Sequence, residues 1–166
     1  TLYMNNNYIC VTIGDIDGIG IQLLIDLWKE KKIKKFVLVS NYILFEKFLI
    51  KKKIKLKTKI INNELNIKKS NSFLIYNVKA RNNIENTYNS LLLSYYLTRK
   101  NIFSGIINLP LNKEKIIQNI DNKFIGQTEF YEKLCNNNYS NMIFYSRKII
   151  ASTITTHVPI NKINQF

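Results

Sequence analysis

The chain has 166 residues, enough for one domain with a full core, or for a domain and part of a second. Hydrophobic residues make up 46% and aromatics 12%, which excludes an intrinsically disordered chain. The formal charge of +14 would suit a polyanion, but only Arg81, Arg99 and Arg147 are arginines. The planar fork used in base and phosphate readout is therefore scarce, and nucleic acid is not an expected partner.

In chain order, Tyr8–Ile13 is a short β-branched apolar run ending at Gly14-Asp15, and reads as a buried strand. Apolar residues at helical spacing then run from Ile19 to Lys32. Phe36–Ser40 is a second buried strand, and Asn41 is placed to cap a helix over Tyr42–Lys52. The lysine-rich stretch Lys53–Asn71 holds at most a weak strand around Leu56–Ile61. Phe73–Val78 is a further strand. The longest helix is expected over Asn82–Lys100, with Ile84, Leu91, Leu92, Tyr95 and Tyr96 facing inward. Ile102–Leu109 reads as a buried strand that stops at Pro110. A helix follows near Asn112, a turn at Gln118–Lys123, a short helix over Thr128–Asn136, and strands at Met142–Tyr145 and Lys148–Thr155. Strands alternating with amphipathic helices predict an α/β fold, a mostly parallel sheet covered on both faces.

Cys10 and Cys135 lie far apart in no paired spacing, so neither a disulfide framework nor a zinc ribbon is available. Charges interrupt every apolar run well short of a membrane span, and Thr1–Asn7 lacks the layout of a signal peptide. A cytoplasmic protein with no membrane partner is expected.

Ligands of such sheets bind at the carboxyl ends of the strands, where three polar segments fall. Gly14-Asp15-Ile16-Asp17-Gly18-Ile19-Gly20 joins a strand to a helix, but its glycine spacing is not the dinucleotide fingerprint and no Lys-Ser/Thr pair makes it a P-loop. Its spacing fits a structural turn and a ligand loop equally well. Asn108–Glu114 places Lys113 at a helix start, either as a solvated side chain or as one reaching a carboxylate or phosphate. Gly126–Glu129 carries Gln127 and Thr128, and Thr155–Pro159 carries His157, the sole histidine. One imidazole cannot make a catalytic zinc site, which needs about three protein ligands.

The wording and order of these segments resemble the 4-hydroxythreonine-4-phosphate dehydrogenase family. Residues 9–24, ICVTIGDIDGIGIQLL, resemble its opening strand and G-D/E-P-A-G-I-G loop; Asn108–Glu114 resembles A-P-I-N-K-E. Phe124–Leu134 resembles F-x-G-H-T-E with its following aromatics, and Thr153–Ile160 resembles V-T-T-H-V/L-P-L. The resemblance implies an isocitrate/isopropylmalate-dehydrogenase-like fold, here incomplete. Residues 1–125 would be the first α/β domain, without its carboxyl-terminal completion, and 126–166 the beginning of the second. It also implies a homodimer that uses NAD and a divalent metal (Zn, Mg or Co) in vitamin B6 biosynthesis. Such an enzyme oxidises 4-phosphooxy-L-threonine to 2-amino-3-oxo-4-phosphooxybutanoate, which loses CO2 to give 3-amino-2-oxopropyl phosphate. By position, His157 would be a metal ligand, Gln127 and Thr128 would contact substrate, and Asp15 and Lys113 would lie in loops near the active site.

Two departures stand out. Gln127 replaces the family's His and cannot become cationic or shuttle a proton near neutrality, which opens an alternative substrate such as a phosphothreonate. The family's two further metal histidines and most of its cofactor contacts have no counterpart among these 166 residues. Catalysis by this chain alone is not expected, and a decayed remnant that binds a ligand or partner is the non-enzymatic alternative.

Overall fold

The computed structural model describes residues 8–61, 71–136 and 140–153. In chain order the elements are β1 (Ile9–Thr12), α1 (Ile19–Lys29), β2 (Phe36–Ser40), α2 (Tyr42–Lys51), β3 (Thr58–Ile61), β4 (Phe73–Asn77) and α3 (Asn83–Arg99). Then come β5 (Ile106–Asn108), α4 (Lys113–Asn119), α5 (Gln127–Leu134), β6 (Ile143–Tyr145) and β7 (Ile150–Ser152). Chain contacts divide them into two units, Thr1–Ile125 and Gly126–Phe166.

In the first unit five strands form a sheet ordered β3-β4-β2-β1-β5, parallel at every pairing. Successive side chains of a strand point to opposite faces, and the burial follows that period. Val11, Phe36, Leu38, Phe73 and Ile75 pack with Ile21 and Ile25 of α1 and with Phe45 and Phe48 of α2. Their in-between neighbours Cys10, Val37, Val39 and Leu74 pack on the other side, with Leu97 of α3 and with Phe103. Helices therefore cover both faces, which is why β2 is buried along its whole length. Phe73 sits at the middle of an aromatic cluster, edge-on to Trp28 and Phe36 and stacked on Phe45 at 5.7 Å between centroids.

Asparagine opens three of the helices. Asn41, Asn82 and Asn112 accept from the backbone N–H of Leu44, Glu85 and Lys115 at 3.1, 2.9 and 3.2 Å, satisfying donors that a first helical turn leaves orphaned. At the other end, α1, α2 and α3 each close with paired 6→1 and 5→2 hydrogen bonds, as in Lys32 N–H to Leu27 and Lys31 N–H to Trp28. The left-handed position of that motif usually takes glycine; here Lys31, Lys53 and Asn101 occupy it at φ of 56°, 54° and 55°.

Two expectations are corrected. The strand predicted over Ile102–Leu109 is only Ile106–Asn108, because Ser104 N–H turns to bond Tyr8 and Phe103 leaves the strand line to fill the core. The inner face of α3 is not Ile84, Leu91, Leu92, Tyr95 and Tyr96. Leu91 is buried, but Tyr96 is 53% exposed, and the buried positions are Asn86, Thr87, Ser90, Leu91, Ser94 and Leu97. Those six recur at helical spacing, and most are small and polar.

The second unit holds α5, with Phe130 buried, and an antiparallel hairpin in which Ile143, Phe144 and Tyr145 pair with Ser152, Ala151 and Ile150. Both strands are exposed throughout. Among the described residues no helix is long and apolar enough to cross a membrane.

Candidate functional site

From β1 the chain moves through α1 to β2 on one side, while β5 lies on the other side of β1. The order therefore reverses at the β1/β5 boundary, and a crevice opens beyond the carboxyl ends of those strands. Two loops fill its rim, Gly14–Gly20 after β1 and Leu109–Asn112 after β5.

The loops are seated against each other tightly. Gly14 has φ +63°, and a Cβ added there would meet the Pro110 carbonyl oxygen at 2.5 Å and Leu109 Cβ at 2.9 Å. Only glycine suits that position. At Gly20 a Cβ would meet the Pro110 ring at 2.8 Å. Asp15 N–H donates to the Pro110 carbonyl at 2.9 Å, and Thr87 Oγ1 of α3 donates to the Gly14 carbonyl at 2.6 Å.

The polar inner face of α3 extends this arrangement across the sheet. Asn86 accepts from Asn41 N–H at 2.7 Å and donates to Ser40 Oγ at 3.1 Å, while Asn41 donates to the Val78 carbonyl at 2.9 Å. The carboxyl ends of β1 and β2 are thus fixed by one helix, and the end of β4 is joined to them through Asn41. This explains why α3 buries Asn and Thr: the ends of parallel strands present backbone groups with no ladder partner, and these side chains satisfy them.

The crevice is lined by Asp15, Asp17, Asn83, Thr87, Asn112 and Lys115, floored in part by Ile84 and Ile116. Lys115 Nζ donates to Asp15 Oδ2 at 3.1 Å, with the lysine side chain 47% and the aspartate 22% exposed. Asp15 Oδ1 also accepts from Asp17 N–H at 3.2 Å. Asp15 is therefore occupied on both oxygens. The crevice encloses about 30 Å³, room for a water or two, so it is the rim of a site and not a complete pocket. Its groups can hold and orient a polar ligand. None is a His or Cys poised for proton transfer or nucleophilic attack.

Of the residues singled out from sequence, Asp15 lies in the crevice. Lys113 is exposed at the start of α4, outside the crevice lining, and Lys115, one half-turn on, is the lysine that meets Asp15. No local sequence signal marks Lys115 for this contact, since Asp15 lies 100 residues earlier. Thr87 and Asn83 carried no sequence signal. Gln127, partly buried, and Thr128, exposed, occupy the first turn of α5 in the second unit. His157 lies outside the described residues. Among the described residues no three His, Cys, Asp or Glu side chains gather as a metal site, so these residues alone do not fit a catalytic metal.

A parallel sheet with helices on both faces and polar loops gathered at its switch point defines the class, an open-sheet α/β protein, in which ligands bind at that end of the sheet. Comparison with known proteins narrows the class. The model of the pyridoxal phosphate biosynthetic protein PdxA family matches residues 30–166, and the chain belongs to that family. It is 29% identical over 175 residues to the 4-hydroxythreonine-4-phosphate dehydrogenase of Aquifex aeolicus, covering 97% of this chain and 53% of that protein. To the enzyme of the same name from Wigglesworthia glossinidia brevipalpis it is 28% identical, covering 95% and 51%. The chain thus spans about half the length of the relatives it matches. The fold is shared with solved 4-hydroxythreonine-4-phosphate dehydrogenases from Klebsiella pneumoniae and Burkholderia phymatum. Their TM-scores are 0.81 and 0.77 at 19% and 16% identity, and 54% and 52% of those chains are covered.

Proposed function

We propose that these residues serve a 4-hydroxythreonine-4-phosphate dehydrogenase, oxidising the secondary hydroxyl of 4-phosphooxy-L-threonine in vitamin B6 biosynthesis. The observation that carries this is the family match over residues 30–166, which takes in the Asn108–Glu114, Phe124–Leu134 and Thr153–Ile160 segments. In this reading the crevice at the ends of β1 and β5 borders the active site. Asp15 and Lys115 hold its two loops in register, and Lys113 stands on the adjoining helix start. Gln127 and Thr128 sit at the amino end of α5, whose backbone N–H groups and positive dipole end suit a substrate phosphate. NAD would accept the hydride. His157 would contribute one imidazole to a divalent cation, whose part in such chemistry is Lewis-acid polarisation of the hydroxyl and developing ketone. The intact enzyme would be a cytoplasmic homodimer.

Gln127 favours one second reading, oxidation of a related phosphorylated sugar acid such as a phosphothreonate. An amide donates to a phosphate but does not bring the charge of an imidazolium. One experiment addresses both. NAD reduction is followed with each substrate for these residues, alone and joined to the part of the Aquifex aeolicus relative that they do not cover. Turnover of 4-phosphooxy-L-threonine by the joined protein, reduced at least tenfold by Thr128→Ala, is the expected result. Turnover of the phosphothreonate alone would favour the second reading, and inertness toward both would remove each.

A further inference from the structure

Lysine is not spread evenly along the chain. Residues 29–59 hold twelve of the 22 lysines but only two carboxylates, Glu30 and Glu46, and one asparagine, Asn41, although asparagine is as common as lysine overall. All twelve lysines are exposed. Glu30 is taken up by Lys32 at 2.6 Å, and Glu46 accepts from Thr58 Oγ1 at 2.9 Å. Lys51, at the end of α2, meets Asp17 at 3.8 Å. Among the described residues no other lysine of the stretch meets a carboxylate.

The fold draws two lysine runs together, residues 29–35 and 53–57. Lys35 leads into β2 and Lys57 into β3, and the parallel pairings through β4 set those strand starts side by side. Phe73, the first residue of β4, donates its N–H to the Lys57 carbonyl at 2.8 Å. Its ring stands edge-on to Phe36 and to Trp28, the residue before the first run. Ile33, Ile54 and Leu56, the apolar residues within the runs, pack on the same core. The lysines between them are left outside, at the amino ends of the strands, while the crevice lies at the carboxyl ends.

Backbone conformation separates this face from a general excess of lysine. Among the described residues, the non-glycine residues with left-handed φ are Lys31, Lys35 and Lys53 inside the runs, at 56°, 57° and 54°, and Asn101 and Asn136 outside them. Asparagine tolerates that conformation, and lysine is strained in it. The runs keep a cation at each position where a neutral residue would be more stable, and strain that is kept marks a functional demand. We propose that this face binds the phosphate backbone of a nucleic acid duplex without reading its sequence. Lysine brings a point charge on a flexible stem, which suffices to neutralise phosphates. Base readout needs the fork of arginine, and residues 29–59 contain none. Neither run contains an aromatic residue on which unpaired bases could stack. A bilayer would also attract the charge, but the apolar side chains that would anchor there are turned to the core. The proposal is independent of the dehydrogenase reading.

The 166-residue chain is titrated by fluorescence anisotropy against a labelled duplex of about 20 base pairs, between about 50 and 200 mM salt. Binding should weaken as salt rises and should be unchanged when the duplex sequence is scrambled. Lys34→Gln, Lys55→Gln and Lys57→Gln together should weaken it roughly tenfold or more at the lower salt, and flatten the log–log salt slope by about one per lysine removed. Arginine at the same three positions should restore binding, which separates charge from folding. Removing equal charge elsewhere, with Lys79→Gln, Lys100→Gln and Lys123→Gln, should change affinity less than about twofold. Absence of binding at the lowest salt, equal losses from the two glutamine triples, or preference for one duplex sequence would each overturn the proposal. So would tighter binding to vesicles rich in anionic lipid that the first triple abolishes, since that surface would then be a membrane contact.

Discussion

The two units treat the same kind of sequence differently. Phe73 in β4 and Phe144 in β6 both sit in short β-branched and aromatic runs, yet Phe73 is fully buried among Phe45, Phe36 and Trp28 while Phe144 is 56% exposed. The first unit closes its sheet with helices on both faces and ties the strand ends to the polar side of α3. The second leaves its hairpin bare. Local pattern therefore specifies strand character in both, and the difference lies in what else is present to pack against it.

Substitution at the two phenylalanines gives the largest expected contrast. Phe73→Ala should cost about 3–5 kcal/mol in urea unfolding followed by tryptophan fluorescence, because it opens a cavity in a cluster that cannot collapse easily. Phe144→Ala should change stability by less than about 0.5 kcal/mol. Comparable costs at the two sites would break the contrast.

At the rim of the first unit, Gly14→Ala should destabilise by about 3 kcal/mol. The new Cβ meets the Pro110 carbonyl, and the left-handed backbone adds strain. The same melts would measure it, and a neutral result would mean that the two loops are not locked together. In the opposite direction, Lys31→Gly should raise stability by roughly 1 kcal/mol, since its left-handed position after α1 suits glycine.

The smallest effect concerns acid. Hydrogen bonds from the Arg81 side chain and then its backbone N–H hold the Glu85 carboxyl below its ordinary value, at the first turn of α3. A carboxylate with a depressed folded-state pKa contributes stability above its unfolded value, which is lost as pH falls through the folded one. The amino end of α3 should therefore loosen only as pH falls below the ordinary range of a glutamate carboxyl. Arg81→Ala should move the NMR titration of Glu85 upward, and an unmoved titration would remove the pairing.

Much of the first unit was legible in the sequence. β2 falls at Phe36–Ser40 as expected, because five consecutive apolar or small residues after a lysine turn can only be a strand covered on both faces. The cap at Asn41 was legible for the same local reason. The face of α3 was not. Apolar spacing points to Tyr95 and Tyr96, whereas the helix presents Asn86, Thr87, Ser90 and Ser94 to the sheet, all small enough for close approach, with Asn86 and Thr87 bonding strand-end groups far away in sequence. The Asp15 contact of Lys115 was not legible either, because its partner lies 100 residues earlier in the chain. Long-range polar pairs leave no period to read.

The difference between a closed sheet and an uncovered hairpin is tested most directly by native-state hydrogen exchange on the 166-residue chain in dilute solution. Amides of β1, β2 and β4 should exchange only through global unfolding, and those of Ile143–Ser152 at nearly the rate of an unstructured peptide. Equal protection of both regions in a chain shown to be monomeric would contradict the account.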